Sequence, residues 1–218
     1  MKLLKSLPLA IGMFFIFQGA SYAEVTVSQT STVTMPTGAD DFAVSGGIAI
    51  VSESGGNYAN WIIDISNPES LFLSGSYEKS YDGSGVSDIA LSGTTAYIGY
   101  NWENYGGPLQ IVDISDPTHT ALKSTAIDDT KSITRLALNG KYLYVVFKEG
   151  LQIFDVSKPS SPILLGAYNP EGFDYGVVVS GNYAYVLNSE QGMIIIDASN
   201  SAAPTVKGRY KMSGGARD

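Results

Sequence analysis

The chain has 218 residues, 44% hydrophobic and 16% charged, which is enough apolar material for a buried core and too little charge for a disordered chain. It holds no cysteine and one histidine, His119, so disulfides, thiolate metal sites, cysteine nucleophiles and lipid attachment at cysteine are excluded. Twenty-one acidic residues against 13 basic ones give a net charge of −8, a field that opposes nucleic acid as a partner.

Residues 1–23 read as a signal peptide. Lys2 and Lys5 form a basic start, an apolar run follows from Leu7 to Phe17, and Ser21-Tyr22-Ala23 supplies small residues at the A-x-A-like positions, the order in which a secretory leader is built. An eleven-residue run is too short to span a membrane, which takes about 20 residues. The reading predicts export to the periplasm, the extracellular medium or the cell surface. Loss of the leader makes the net charge −10 over 195 residues.

From residue 24 onward one unit recurs. Trp61-Ile62-Ile63-Asp64-Ile65-Ser66, Ile111-Val112-Asp113-Ile114-Ser115, Ile153-Phe154-Asp155-Val156-Ser157 and Ile195-Ile196-Asp197-Ala198-Ser199 align, with aspartates 49, 42 and 42 residues apart. Four residues after each Asp stand Pro68, Pro117, Pro159 and Ser201, and eleven after stand Gly75, Ser124, Gly166 and Gly208. A second landmark precedes each Asp: Val44-Ser45-Gly46, Leu91-Ser92-Gly93, Leu138-Asn139-Gly140 and Val179-Ser180-Gly181.

Each unit contains four short runs rich in β-branched and aromatic residues and bounded by Gly, Pro, Asn and Ser, the mark of strands. In the fourth unit these are Gly176–Val179, Tyr183–Leu187, Met193–Ala198 and Thr205–Tyr210. Four strands in about 42 residues match the period of a β-propeller blade. The expected architecture is an all-β propeller of four-stranded antiparallel blades, with units at about 42–77, 89–126, 136–168 and 177–210, preceded by a strand at 25–30. Spacing aligns that strand with the fourth strand of a unit, Ser28 matching Gly75. Gly215-Ala216-Arg217-Asp218 has the look of a further unit's opening, so the four repeats either close on themselves or form part of a larger propeller.

The segments Ile111–Ser115 and Leu151-Gln152-Ile153-Phe154-Asp155-Val156-Ser157 resemble the signature of the LVIVD repeat family of bacterial and archaeal exported or surface proteins. The similarity spans residues 25–218. The resemblance implies a propeller and carries no established activity.

The repeated aspartates Asp64, Asp113, Asp155 and Asp197 are expected to accept hydrogen bonds from turn amides and fix strand-end corners, shared with the serine two residues on. Gly46, Gly93, Gly140 and Gly181 are expected in hairpins that need positive φ. Tyr97, Tyr144 and Tyr185 are expected to pack between blades. His119, in a turn and without a second His or Cys, makes neither a zinc site nor a Ser-His-Asp triad. Asp82-Gly83-Ser84-Gly85 has the start of a calcium loop, yet an EF-hand would need Glu where Gly93 stands. No cofactor is expected, with calcium at the ring axis left open.

Function is expected where the units differ. From landmark Gly to landmark Asp the units run 18, 20, 15 and 16 residues, the surplus falling between the second and third strands of the first two. Those stretches carry Tyr58 and Trp102-Glu103-Asn104-Tyr105, and in a meander they emerge on the same rim as the blade-to-blade connections with Tyr81-Asp82 and Tyr175. Aromatic rings beside Asn and Asp suit an extracellular protein or glycan. Tyr58, Trp102, Asn104, Tyr105, Tyr81, Asp82 and Tyr175 are therefore the expected ligand-binding residues of a non-enzymatic binding or scaffold module. Two alternatives stand beside it: a purely structural repeat segment of a larger surface protein, and a metal-dependent propeller hydrolase or lyase.

Overall fold

The computed structural model describes residues 31–34, 38–54, 59–78, 85–101, 106–127, 131–172 and 174–211. The leader at 1–23, the strand expected at 25–30 and the C-terminal Gly215–Asp218 lie outside them. Among the described residues there is no helix long and apolar enough to cross a membrane.

Among the described residues sixteen strands form four sheets, each made of four consecutive strands in order. The first holds β1 (Gly38–Ser45), β2 (Ile48–Ser54), β3 (Ala59–Asp64) and β4 (Phe72–Glu78). The second holds β5 (Gly85–Ser92), β6 (Thr95–Asn101), β7 (Leu109–Asp113) and β8 (Ala121–Ile127). The third holds β9 (Ile133–Asn139), β10 (Tyr142–Phe147), β11 (Gly150–Asp155) and β12 (Ile163–Tyr168), and the fourth β13 (Asp174–Ser180), β14 (Tyr183–Asn188), β15 (Gly192–Asp197) and β16 (Thr205–Tyr210). All pairings are antiparallel. In the fourth unit the strands begin or end within two residues of the runs read from the sequence.

Gly46, Gly93, Gly140 and Gly181 open the two-residue hairpins at the end of each first strand, with φ between +56° and +59°. That twist suits a tight hairpin and is strained for any residue carrying Cβ. Hairpins join neighbouring sheets as well. The Gly93 amide donates to Ser45 Oγ at 3.1 Å, and Asn139 Nδ2 donates to the Gly181 carbonyl at 2.7 Å.

Alternation along each strand gives every sheet two apolar faces. The trailing face of one sheet packs on the leading face of the next. Ala43, Ile50 and Ile62 lie across the first sheet in register and meet Leu91, Ala96 and Val112 of the second. Ala90, Tyr97 and Ile111 meet Leu138, Leu143 and Phe154. Ala137, Tyr144 and Ile153 meet Val179, Ala184 and Ile196. These three interfaces are the main core, and Ala49, Val51 and Ile63 form a smaller buried cluster with Val33 and Ile65 on the other face of the first sheet. Tyr97 and Tyr144 are buried in the interfaces, whereas Tyr185 holds the same place on a face with no neighbouring sheet and is only half-buried.

First strands gather on one side, β1 against β5, β5 against β9 and β9 against β13. Among the described residues no comparable packing joins β13 to β1, so the four sheets form an open arc. This is a propeller arrangement that does not close on itself.

Candidate functional site

The repeated aspartates terminate the third strand of each sheet. Asp64 Oδ1 accepts from the Ser66 amide at 2.8 Å and from its hydroxyl at 2.5 Å. The Ser115 and Ser157 amides donate to Asp113 and Asp155 at 2.9 Å, and Ser199 donates to Asp197 through N at 3.0 Å and Oγ at 2.6 Å. Lysines add charge, Lys123 of β8 to Asp113 at 2.7 Å and Lys141 of the β9–β10 hairpin to Asp155 at 2.8 Å. Asp113 is pulled down to about 2 by Lys123 first and then by Ser115. Each carboxylate is thus occupied by its own corner. His119 bonds Asp116 at 3.0 Å in an exposed turn of the second sheet, at the end of the sheets away from the long connections.

The first interface differs from the other two in one respect. Where the third strands of the second, third and fourth sheets carry Leu109, Leu151 and Met193, the first carries Asn60, in register with Ser52. Asn60 is wholly buried. Its Nδ2 lies 3.4 Å from the Tyr77 carbonyl and 3.4 Å from the Tyr100 hydroxyl, and Tyr77 donates across the interface to Gln110 Oε1 at 3.0 Å. Burial pushes both phenols up, for Tyr100 the larger cause ahead of its neighbour Tyr77. Asn60 Oδ1 is buried with no partner among the described residues. A polar group in this state costs stability, which the leucines elsewhere avoid. Sequence reasoning passed over this cluster. Its one signal was Asn60 in a column that is otherwise Leu or Met.

Asn60, Tyr100 and Gln110 sit near the strand ends that the second-to-third connections of the first two sheets join, and Tyr77 near the end of β4. Tyr58, Trp102, Asn104, Tyr105, Tyr81 and Asp82 lie outside the described residues. Tyr175 is described. It stands where the β13–β14 register shifts between Asp174 and Gly176, so it is a bulge residue on the fourth sheet's first strand, exposed to solvent.

Similar register shifts occur in every first strand, and bulges of this kind re-aim side chains. Ser87 and Thr134 use theirs to bond the carbonyls of Gly99 at 3.1 Å and Val146 at 3.2 Å. One residue later, at matching positions, stand Asp41, Asp88, Arg135 and Gly176. Asp88 Oδ2 accepts from the Leu136 amide of the next sheet at 2.6 Å, and Arg135 Nη1 lies 3.5 Å from the Ser87 carbonyl. Burial pushes the Asp88 carboxyl up to about 7, helped by the charge of Asp41 and opposed by the Leu136 amide and Arg135. Asp88 and Arg135 border an open cavity of about 410 Å³ whose other wall is the apolar face of the fourth sheet. Among the described residues no three His, Cys, Asp or Glu side chains are grouped to hold a metal ion.

No curated protein matches the chain. Among solved structures, the periplasmic gluconolactonase of Pseudomonas aeruginosa aligns with a TM-score of 0.65 at 12% identity, over 82% of this chain and 58% of that one. The Swd1 β-propeller domain of Myceliophteria thermophila aligns with a TM-score of 0.58 at 12% identity, over 79% and 57%. The computationally designed Ika4 protein aligns with a TM-score of 0.61 at 11% identity, over 78% and 98%. The chain thus spans about three fifths of these two natural structures, and at such identities the likeness is one of fold. The LVIVD repeat model matches residues 37–79, 83–128, 132–170 and 174–212, one match per sheet, and the chain belongs to the LVIVD repeat family.

Proposed function

We propose that this chain is an exported, non-enzymatic propeller module that binds a glycan on the rim of its first two sheets. The observation behind the reading is the buried polar cluster of Asn60, Tyr77, Tyr100 and Gln110 at the strand ends that lead into the second-to-third connections of the first two sheets. The repeat does not need Asn60, because the same third-strand position is Leu109, Leu151 and Met193 in the other sheets. A costly local departure at the strand ends next in sequence to Tyr58, Trp102, Asn104 and Tyr105 fits a surface shaped for a ligand. Rings of this kind stack on sugar faces while amides orient hydroxyls. Export rests on the leader-like residues 1–23 and on the family.

A glycan array probed with the purified protein tests this. Retention on at least one glycan class, abolished by Trp102→Ala with the melting temperature unchanged, is the expected result. No retention of the parent, or equal retention of the variant, overturns the reading.

A second reading, hydrolysis of a sugar lactone, draws on the gluconolactonase likeness and one feature of this chain. Asp88 holds its proton to about pH 7 beside Arg135 at the edge of a cavity, and perturbed carboxyls of this kind mark acid–base sites. Lactone hydrolysis that disappears in Asp88→Asn would favour this reading over the first.

A further inference from the structure

The three interfaces between sheets are one interface repeated, and among the described residues the first and fourth sheets each carry one face in the register of a further such interface. On the trailing side, Val178, Tyr185 and Ile195 occupy the register positions of Ala43-Ile50-Ile62, Ala90-Tyr97-Ile111 and Ala137-Tyr144-Ile153. The earlier sets are packed against the next sheet, whereas Val178 is 67% exposed. On the leading side, Val44, Ala49 and Ile63 match Leu91-Ala96-Val112, Leu138-Leu143-Phe154 and Val179-Ala184-Ile196. Here Phe42 is 52% and Val44 46% exposed, while Ala49 and Ile63 are buried with Val33 packed on them.

We propose that a second copy of this chain completes both faces, the fourth sheet of each copy packing on the first sheet of the other so that two chains close one ring. The faces are complementary in size as well as position. Tyr185 would meet Ala49 as Tyr144 meets Ala184 in the third interface, a large side chain set against a small one. The contact is head-to-tail, and a two-fold axis closes it with no face left over. No new chemistry is needed, since the same packing already holds the sheets together three times.

One existing contact must yield. At the outer edge of each interface the residue eleven after the Asp abuts the next sheet's corner: Gly75 faces the Pro117 carbonyl, Gly166 the Ser201 carbonyl, and Ser124 donates to the Pro159 carbonyl at 2.6 Å. Gly208 is the fourth such residue, and a Cβ there would meet only Ile195 of its own sheet, at 3.9 Å. Its seat on a second copy is the Pro68 carbonyl, which Ser31 occupies at 2.6 Å. Ser31 and Val33 hold that segment there, Val33 resting on Ala49, Val51 and Ile63. Arrival of a whole sheet displaces this short strap.

Sedimentation velocity of the purified protein over a range of concentrations tests the proposal. The expected result is a species of twice the chain mass, with Val178→Asp and Phe42→Asp each raising the dissociation constant at least about tenfold. Both sites are exposed in the single chain, so the strand signal in circular dichroism should be unchanged. Val44→Lys replaces Phe42→Asp if that variant folds poorly. A single-chain mass at every concentration overturns the proposal and leaves the faces to further repeats of a longer polypeptide. A dimer broken by Val178→Asp but untouched by both leading-face variants also overturns it, because that pattern belongs to two trailing faces packed on each other.

Discussion

The Ser31 hydroxyl donates to the Pro68 carbonyl at 2.6 Å, repeating at the start of the chain the 2.6 Å contact from Ser124 to Pro159 between the second and third sheets. A segment ahead of the first sheet therefore sits where the outer strand of a preceding sheet belongs. Ser28, which the spacing aligns with Gly75, lies outside the described residues. The contact is peripheral and single. Ser31→Ala should lower stability by less than about 1 kcal/mol, measured by urea denaturation, and a larger loss would show that the strap is part of the core.

Close approach between sheets leaves no room at Gly166. A Cβ there would come within 2.4 Å of the Ser201 carbonyl oxygen and 3.0 Å of Ala202. Both obstacles are backbone, so the sheets themselves must move, and Gly166→Ala should cost about 2–3 kcal/mol. Gly208 holds the same place on the fourth sheet, where an added Cβ meets only Ile195 at 3.9 Å. Gly208→Ala should therefore change the midpoint by less than about 0.5 kcal/mol at concentrations where the chain is single. Equal costs at both positions would contradict the inter-sheet assignment.

Two groups of carboxyls titrate in opposite directions. Asp174 is wholly buried, accepts from Asn188 Nδ2 at 2.7 Å, and is pushed up to about 6 by burial. The native chain then holds a proton that the unfolded chain has lost, so stability falls as pH rises from about 4 through 6. Asp174→Asn keeps an acceptor for Asn188 and removes the titration, so its stability should fall less over that window than the parent's. Asp113, held down at about 2 by Lys123 and Ser115, acts the other way. Its contribution is present above about pH 4 and is lost as pH falls through about 2. Parallel pH profiles for Asp174→Asn and parent would refute the assignment for Asp174.

Asn60 separates structural from functional design. Leucine at this position is what the second and third sheets use, and Asn60 Oδ1 has no partner among the described residues. Asn60→Leu should raise stability by about 1 kcal/mol and weaken glycan retention by reshaping the base of the rim. A loss of stability exceeding about 1 kcal/mol would mark the polar cluster as a structural requirement instead.

Repetition is why so much of the fold could be read from the residues. Asp64, Asp113, Asp155 and Asp197 recur because each closes the same corner, and Gly46, Gly93, Gly140 and Gly181 recur because each opens the same hairpin at positive φ. The candidate site was less legible for the same reason, since its residues break the pattern. Asp88 and Arg135 lie 47 residues apart in sequence and meet only because β5 and β9 are adjacent first strands. Tyr175 was expected in a blade-to-blade connection. It lies in β13 because that strand starts one residue earlier, at Asp174, whose amide bonds the Lys148 carbonyl at 3.0 Å.

Methyl and aromatic nuclear Overhauser effects test the sheet arrangement most directly. Ile50 and Ile62 of the first sheet should show cross-peaks to Ile98 and Val112 of the second, and Tyr97 and Ile111 to Leu143 and Phe154 of the third, as members of shared cores. Backbone cross-peaks pairing the strand that ends at Asp64 with the strand that ends at Asp113, as neighbours in one sheet, would contradict it.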